Sequence, residues 1–128
     1  MPLFKRQQRI SFNQEMAGHP LFLWTNTLSA IFMSLSVLLI VWKIAPLRFD
    51  HQAVALHYNA VFGVDLLGAW YQVLLLPAVG LGIFLANTLF SHQVWEKEHL
   101  LSYLFSTATI VAEGTLFVAV LFITLLNL

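Results

Sequence analysis

The chain has 128 residues, enough for one domain, and 59% of them are hydrophobic while only 9% are charged. Soluble domains carry about 25% charged residues, so we expect most of the surface of this chain to face lipid rather than water. The formal net charge is zero and there is no cysteine, so a nucleic-acid partner is not expected and disulfides, thiolate metal sites and cysteine nucleophiles are excluded.

Residues 1–19 are predicted to form a cytoplasmic arm. The segment carries Lys5, Arg6 and Arg9 among apolar residues, and each basic residue near an anionic membrane surface adds about 1 kcal/mol to binding. The apolar stretch that follows is too long for the core of a cleaved signal peptide. We therefore expect an uncleaved signal-anchor.

Three stretches are long and apolar enough to cross a membrane, namely residues 21–43, 66–90 and 100–127. A membrane-spanning helix needs about 20 predominantly apolar residues. The first stretch ends at its only charged residue, the second has none, and the third has only Glu113. The sequence therefore predicts an all-α integral membrane protein with three transmembrane helices and a short structured loop, residues 44–65, between the first and the second.

The distribution of Lys and Arg predicts how the three spans are oriented. The N-terminal arm and the loop before the third span together hold four such residues, whereas the first loop holds only Lys43 and Arg48. Because cytoplasmic loops are enriched in Lys and Arg, we expect a cytoplasmic N-terminus and an outer location for residues 44–65.

The outer loop combines an extended run with turn and capping residues. Residues 52–59 alternate in polarity, which predicts a short extended segment. Gly63 is predicted to supply a turn, and Asp65 to be the N-cap of the second helix. Gly68 is expected to allow a close backbone approach near the start of that helix.

One pattern runs from this loop into the second span and consists of His57, Tyr58, Asn59, Gly63, Asp65, Gly68 and Pro77. It resembles the small membrane domain of unknown function found at the N-terminus of SdpI-type bacterial immunity proteins. The proline that commonly precedes the histidine in that family is replaced here by Ala55-Leu56. The resemblance implies a bacterial cytoplasmic (inner) membrane and an immunity- or signalling-like role.

Glu113 is the most unusual residue of the third span. A carboxylate near the bilayer centre costs about 2.5–3.5 kcal/mol on insertion scales, so such residues usually face a protein interior. At helical spacing Glu113 shares a face with Ser102, Ser106 and Thr109. Three interpretations stay open: a protonated residue that hydrogen-bonds within or between protomers, a partner for a Lys or Arg of another chain, and a proton or ion relay.

Small residues in the second span predict a site of close helix packing. Pro77, Gly80 and Gly82 lie within two turns of one another, and small residues let membrane helices approach closely. The contact is expected either within the monomer or at an interface between chains.

Catalytic and metal-binding patterns are not apparent. The spacing of Asp50, His51, His57 and Asp65 matches no dedicated metal site, and no catalytic triad, HExxH or phosphate-binding loop is recognisable. We therefore predict no catalytic residue, no metal site and no cofactor, and we do not expect an enzyme.

The sequence supports three functional hypotheses, of which a non-enzymatic one leads. It is a small integral membrane protein, surrounded by the lipid bilayer, that assembles with itself or with a larger membrane protein complex. The second hypothesis is a proton- or ion-conducting transport component that uses Glu113. The third is a membrane enzyme that uses the His57 loop.

Overall fold

A computed structural model describes residues 18–50 and 53–128 of the chain. The structure is mostly helical, at 78%, and it contains a small two-stranded sheet. Residues 1–17 of the predicted cytoplasmic arm, and His51, lie outside the described residues, so the predictions made for them stay predictions.

Three long helices account for most of the fold. Each belongs to a segment that is long and apolar enough to cross a membrane, and these segments are Pro20–Leu47, Trp70–Val94 and His99–Leu126. The prediction of three such helices is confirmed. The α-helical parts are α1 (Pro20–Leu39), α2 (Leu75–Val94) and α3 (His99–Leu126).

The two ends of α1 follow from local sequence. His19 precedes the helix and its Nδ1 accepts a hydrogen bond from the backbone N–H of Leu21 at 3.4 Å. Beyond α1 the chain continues as a π-helical turn (Ile40–Ile44) and a 3-10 segment (Ala45–Asp50). Pro46 has no N–H to donate, so regular α-helical bonding cannot continue through it.

The helices form a layer with α3 in the middle. Both α1 and α2 pack along α3 far more extensively than they pack on each other. Ring contacts join Phe22 to Tyr103 and Phe32 to Phe117, so α1 and α3 run in the same direction. The helix that links them in sequence, α2, runs in the opposite direction. At one end of the layer, called the turn end, residues 95–98 connect α2 to α3.

At the other end of the layer, called the hairpin end, lies the loop between α1 and α2. Here two antiparallel strands, β1 (Val54–Asn59) and β2 (Gly63–Gly68), form a hairpin with irregular register near His57. A buried cluster joins this hairpin to all three spans and consists of Ile40, Ile44, Val54, Val73 and Val120.

The hairpin corrects the all-α prediction. A strand occupies positions 63–68, where the sequence predicts the end of the loop and the start of the second span, which instead begins with a 3-10 helix at Trp70. The prediction that Asp65 caps that helix is wrong, because Asp65 lies in β2. Residue Ala69 precedes the helix, and its N–H donates to Oε1 of Gln72 at 2.8 Å.

Candidate functional site

One face of α3 carries the polar residues of the third span, and the structure buries it. The exposed fractions of Ser102, Ser106, Thr109 and Glu113 are all 5% or less, and Thr124 further along is equally buried. A polar side chain in a membrane span must find partners inside the protein, because lipid offers none. This face is therefore where the helices interact through polar groups.

Two serines join α2 to α3 near the turn end. The hydroxyl oxygens of Ser91 and Ser102 are 2.6 Å apart, and each hydroxyl also lies within hydrogen-bonding distance of the other residue's backbone carbonyl, at 3.0 and 2.8 Å. Both side chains are buried. The sequence indicated Ser102 but not Ser91, which lies at the end of α2 in what the sequence suggested was a loop.

A second polar link joins the same helices further along. The side-chain amide of Asn87 donates to Oγ1 of Thr109 at 3.1 Å, and that hydroxyl in turn donates to the carbonyl of Phe105 at 2.9 Å. These two hydrogen bonds satisfy the hydroxyl group of Thr109 within the bundle. Asn87 was not singled out from the sequence, although an amide within an uncharged span is a recognisable signal.

Glu113 lies against Gly80 of α2. A Cβ atom added at Gly80 would stand 2.8 Å from Oε2 and 3.0 Å from Oε1 of the carboxyl group, so the absence of a side chain at Gly80 makes the space for Glu113. Pro77 is buried on the same helix. Gly82, by contrast, has no heavy atom within 4 Å of an added Cβ and takes no part in this contact.

The carboxyl group of Glu113 is not fully satisfied within the described residues. Among residues 18–50 and 53–128, Oε1 of Glu113 and Oγ of Ser29 are buried side-chain polar atoms without a hydrogen-bond partner. The register set by the Phe22–Tyr103 and Phe32–Phe117 contacts brings Ser29 to within about one turn, 5.4 Å, of the level of Glu113. The two unpartnered groups therefore lie at similar depth.

The loop motif folds into the hairpin. Nδ1 of His57 is 2.6 Å from Oδ1 of Asp65, and Oδ1 of Asn59 accepts from the N–H of Val61 at 2.8 Å. Gly63 begins β2 with a φ of 76°, a left-handed conformation that glycine adopts without a steric cost. The motif thus builds the turn of the hairpin and one hydrogen-bonded side-chain pair across the strands.

Gly68 closes the hairpin against the helix that follows. A Cβ added there would overlap with Oε1 of Gln72 and with a methyl group of Leu56. The close approach expected at Gly68 is therefore present, but its partners are the hairpin and the Gln72 side chain.

Asn127 docks the hairpin on the end of α3. Its side-chain amide accepts from the N–H of Ala55 and donates to the carbonyl of the same residue, both at 2.8 Å, and also donates to the carbonyl of Ile123 at 2.8 Å. The amide thus pairs with β1 as a neighbouring strand would. This contact was missed from the sequence, where an amide side chain at the end of the third span was the available signal.

The turn end has an aromatic cluster. Phe22 and Trp95 are buried and lie 5.3 Å apart between ring centres, with Tyr103 packed against them. His19 joins the cluster through its Nε2, which is 3.3 Å from the hydroxyl of Tyr103. The start of α1 is therefore held to the start of α3.

These features define a small membrane protein with three apolar helices, a polar α3 face and an ordered hairpin. In the described part of the chain, no group of three or more His, Cys, Asp or Glu residues could hold a metal ion. Comparisons of the chain with protein-family models, with curated proteins and with solved structures found no match.

Proposed function

We propose that this chain is a small, non-enzymatic membrane subunit that assembles with itself or with a larger membrane protein complex. The observation that carries the proposal is the shape of the helix layer. Because α3 separates α1 from α2, an open apolar groove of about 650 Å³ remains between the parts of those two helices nearest the hairpin end. A groove of this kind suits a further helix.

The residues that border the groove have helical spacing on both sides. Met33 and Val37 of α1 and Val41 of the π-helical turn that follows it lie at intervals of four, as do Pro77 and Leu81 on α2. Rows of side chains at this interval form the ridges and grooves by which helices interlock. Ala78, which also lines the groove, is small, and this favours close approach in a membrane. We propose a helix of a second copy as the occupant.

The membrane and the orientation are part of the same proposal. Lys and Arg are more frequent in the N-terminal arm and the turn end than in the outer loop, which supports a cytoplasmic N-terminus. With that orientation the hairpin faces the outside of a bacterial cytoplasmic membrane. The resemblance described above supports an immunity- or signalling-like role for an ordered outer loop around His57, Asn59 and Gly63.

The mass of the particle extracted in mild detergent tests the proposal. We expect two or more copies of the chain, or a complex with another membrane protein. The Ala78→Phe variant fills the groove and should shift the particle to the mass of a single chain, whereas Val79→Phe, on an adjacent surface, should not. A stable single chain in the unaltered protein would contradict the proposal.

A second candidate function, a proton- or ion-conducting component, is favoured by the buried Oε1 of Glu113 and Oγ of Ser29, which lack hydrogen-bond partners within the described residues. Its test is flux into liposomes that contain the purified protein. Replacement of Glu113 by Gln keeps the shape and removes the ionisable group, so a relay would lose its flux. Unchanged flux in the Glu113→Gln protein would reject Glu113 as the relay, and no flux in either protein would reject transport. Both results would leave Glu113 as a residue that joins helices.

A further inference from the structure

We propose that the gap between β1 and the last two turns of α3 binds one aminophospholipid, with an acyl chain in the gap and the ammonium group at the His57–Asp65 pair. This site shares no lining residue with the groove between α1 and α2 that is proposed above for assembly. The proposal depends on the three helices crossing a membrane and is independent of the groove between α1 and α2.

The gap arises from the way β1 is attached. Its first residues are fixed, because Val54 is buried against Val120 and Ala55 is bonded to Asn127. Further along β1, from Leu56 to Tyr58, the strand and α3 leave a gap between them. The open groove that remains has a volume of about 580 Å³. It is lined by Leu56 and Tyr58 of β1 and by Ala119, Phe122, Ile123 and Leu126 of α3.

The groove has the chemistry of a site for a hydrocarbon chain. Water occupies about 30 Å³ per molecule in the liquid and needs two to four polar partners when enclosed, and this lining is almost wholly apolar. Phe122, on the α3 wall, belongs to a membrane-spanning segment and is 66% exposed. Acyl chains of the surrounding leaflet are therefore adjacent to the groove, and one of them fills it.

The polar edge of the groove determines the headgroup. His57 lines the same groove, and its Nδ1 is 2.6 Å from Oδ1 of Asp65. A carboxylate only accepts, so Nδ1 carries the proton, and in the neutral imidazole Nε2 is then an acceptor. With the imidazole neutral, the pair carries the negative charge of Asp65. In that form it favours a cation that donates hydrogen bonds over an anion.

The ethanolamine headgroup meets these requirements. Its primary ammonium carries a positive charge and three N–H donors, whereas a choline headgroup has the charge without the donors and a glycerol headgroup has donors without the charge. Asp65 and His57 are both accessible, with 37% and 62% of their side-chain surfaces exposed. The pair lies at the hairpin end of the spans, where headgroups are located.

Competition between matched lipids tests the proposal. The full-length protein is equilibrated with mixed micelles that contain equal amounts of phosphatidylethanolamine, phosphatidylcholine and phosphatidylglycerol with identical acyl chains, and retained lipid is identified by native mass spectrometry. We expect one phosphatidylethanolamine per chain. Equal retention of the three lipids, preference for either of the other two, or no retained lipid would overturn the proposal.

Two variants test the headgroup contact. His57→Ala and Asp65→Asn each remove a hydrogen-bond acceptor for the ammonium, and loss of a bond to a charged group lowers affinity by about tenfold or more. Asp65→Asn keeps the size of the side chain and so preserves the hairpin. His92→Ala, which removes an exposed histidine near the end of α2, is the matched control and should retain the lipid. Retention that survives both hairpin variants contradicts the assignment.

A third variant tests the acyl-chain contact. Ala119→Phe places a ring in the groove and should abolish retention of all three lipids. Ala108→Phe makes the same change at an exposed position of α3 outside this groove and should leave retention unchanged. If Ala119→Phe retains lipid as well as Ala108→Phe does, the groove is not the site.

Discussion

Glu113 occupies the space that a side chain at position 80 would fill, since a Cβ added to Gly80 would lie 2.8 Å from Oε2 of that carboxyl group. The acid is 2% exposed, so it has little freedom to move elsewhere in the bundle. The carboxyl group of Glu113 is thus accommodated between α3 and α2 because Gly80 has no side chain.

The first prediction concerns this contact. Gly80→Val should lower the stability of the bundle by about 1–3 kcal/mol, the usual cost of extra volume in a packed core, because the branched side chain collides with the carboxyl group. Gly82→Val changes the same residue type on the same helix at a position with open space and should have much less effect. Thermal unfolding of both variants in the same detergent measures the difference.

Shortening Glu113 provides a second control for that prediction. In the Glu113→Ala background the Gly80→Val substitution has room, so the double variant should be less destabilised than the sum of the two single variants. Strictly additive effects would show that Gly80 and Glu113 do not share the space.

The second prediction concerns the serines that join α2 to α3. Ser91→Ala and Ser102→Ala each break the hydroxyl–hydroxyl contact and one bond to a carbonyl, and polar contacts between membrane helices contribute about 0.6 kcal/mol on average and about 1.7 at most. The double variant should therefore cost less than the sum of the two single ones. Thr107→Ala, which alters an exposed threonine bonded only within its own helix, is the control. A coupling energy of zero would contradict the paired arrangement.

The spans and the polar face of α3 could be predicted from the sequence because both depend on local patterns. Long uncharged stretches identify membrane helices by length alone, and the helical period places Ser102 and Glu113 on one side of α3. The partner of each polar residue depends on how helices pack, which the period does not reveal. The contact between Glu113 and Gly80, and the lack of one at Gly82, came only from the structure.

The hairpin was missed for a related reason. The segment GVDLLG of β2 merges with the apolar run of the second span, and a short apolar segment has no period that separates strand from helix. Asp65 was consequently assigned to a helix cap, a frequent role for aspartate. Its true partner, His57, becomes visible only when both strands are paired.

The third prediction concerns the attachment of the hairpin to α3. Asn127→Leu keeps the approximate size of the side chain but removes its hydrogen bonds with the N–H and carbonyl of Ala55 and with the carbonyl of Ile123. Loss of partners for buried polar groups costs about 1–3 kcal/mol, so β1 should detach more often. Hydrogen exchange at the Ala55 amide should quicken, while the amides of α2 keep their protection. Unchanged exchange at Ala55 would show that Asn127 does not hold the strand.

The fourth prediction separates lipid binding from folding. The His57–Asp65 pair is accessible to solvent, and even a fully charged exposed pair contributes only about 0–1 kcal/mol. The His57→Ala and Asp65→Asn proteins should therefore unfold within a few degrees of the unaltered protein. A collapse of the fold in both would assign the pair a structural role.

The crossing of the membrane by all three helices is tested most directly by labelling single cysteines. The chain has no cysteine of its own, so Ala60→Cys at the hairpin tip, Glu96→Cys at the turn end and Val111→Cys on the exposed side of α3 each report one position. With a membrane-impermeant maleimide we expect Ala60→Cys to react in intact cells, Glu96→Cys only after permeabilisation, and Val111→Cys in neither case. Reaction of the first two from the same side, or ready labelling at position 111 in the membrane, would contradict the account.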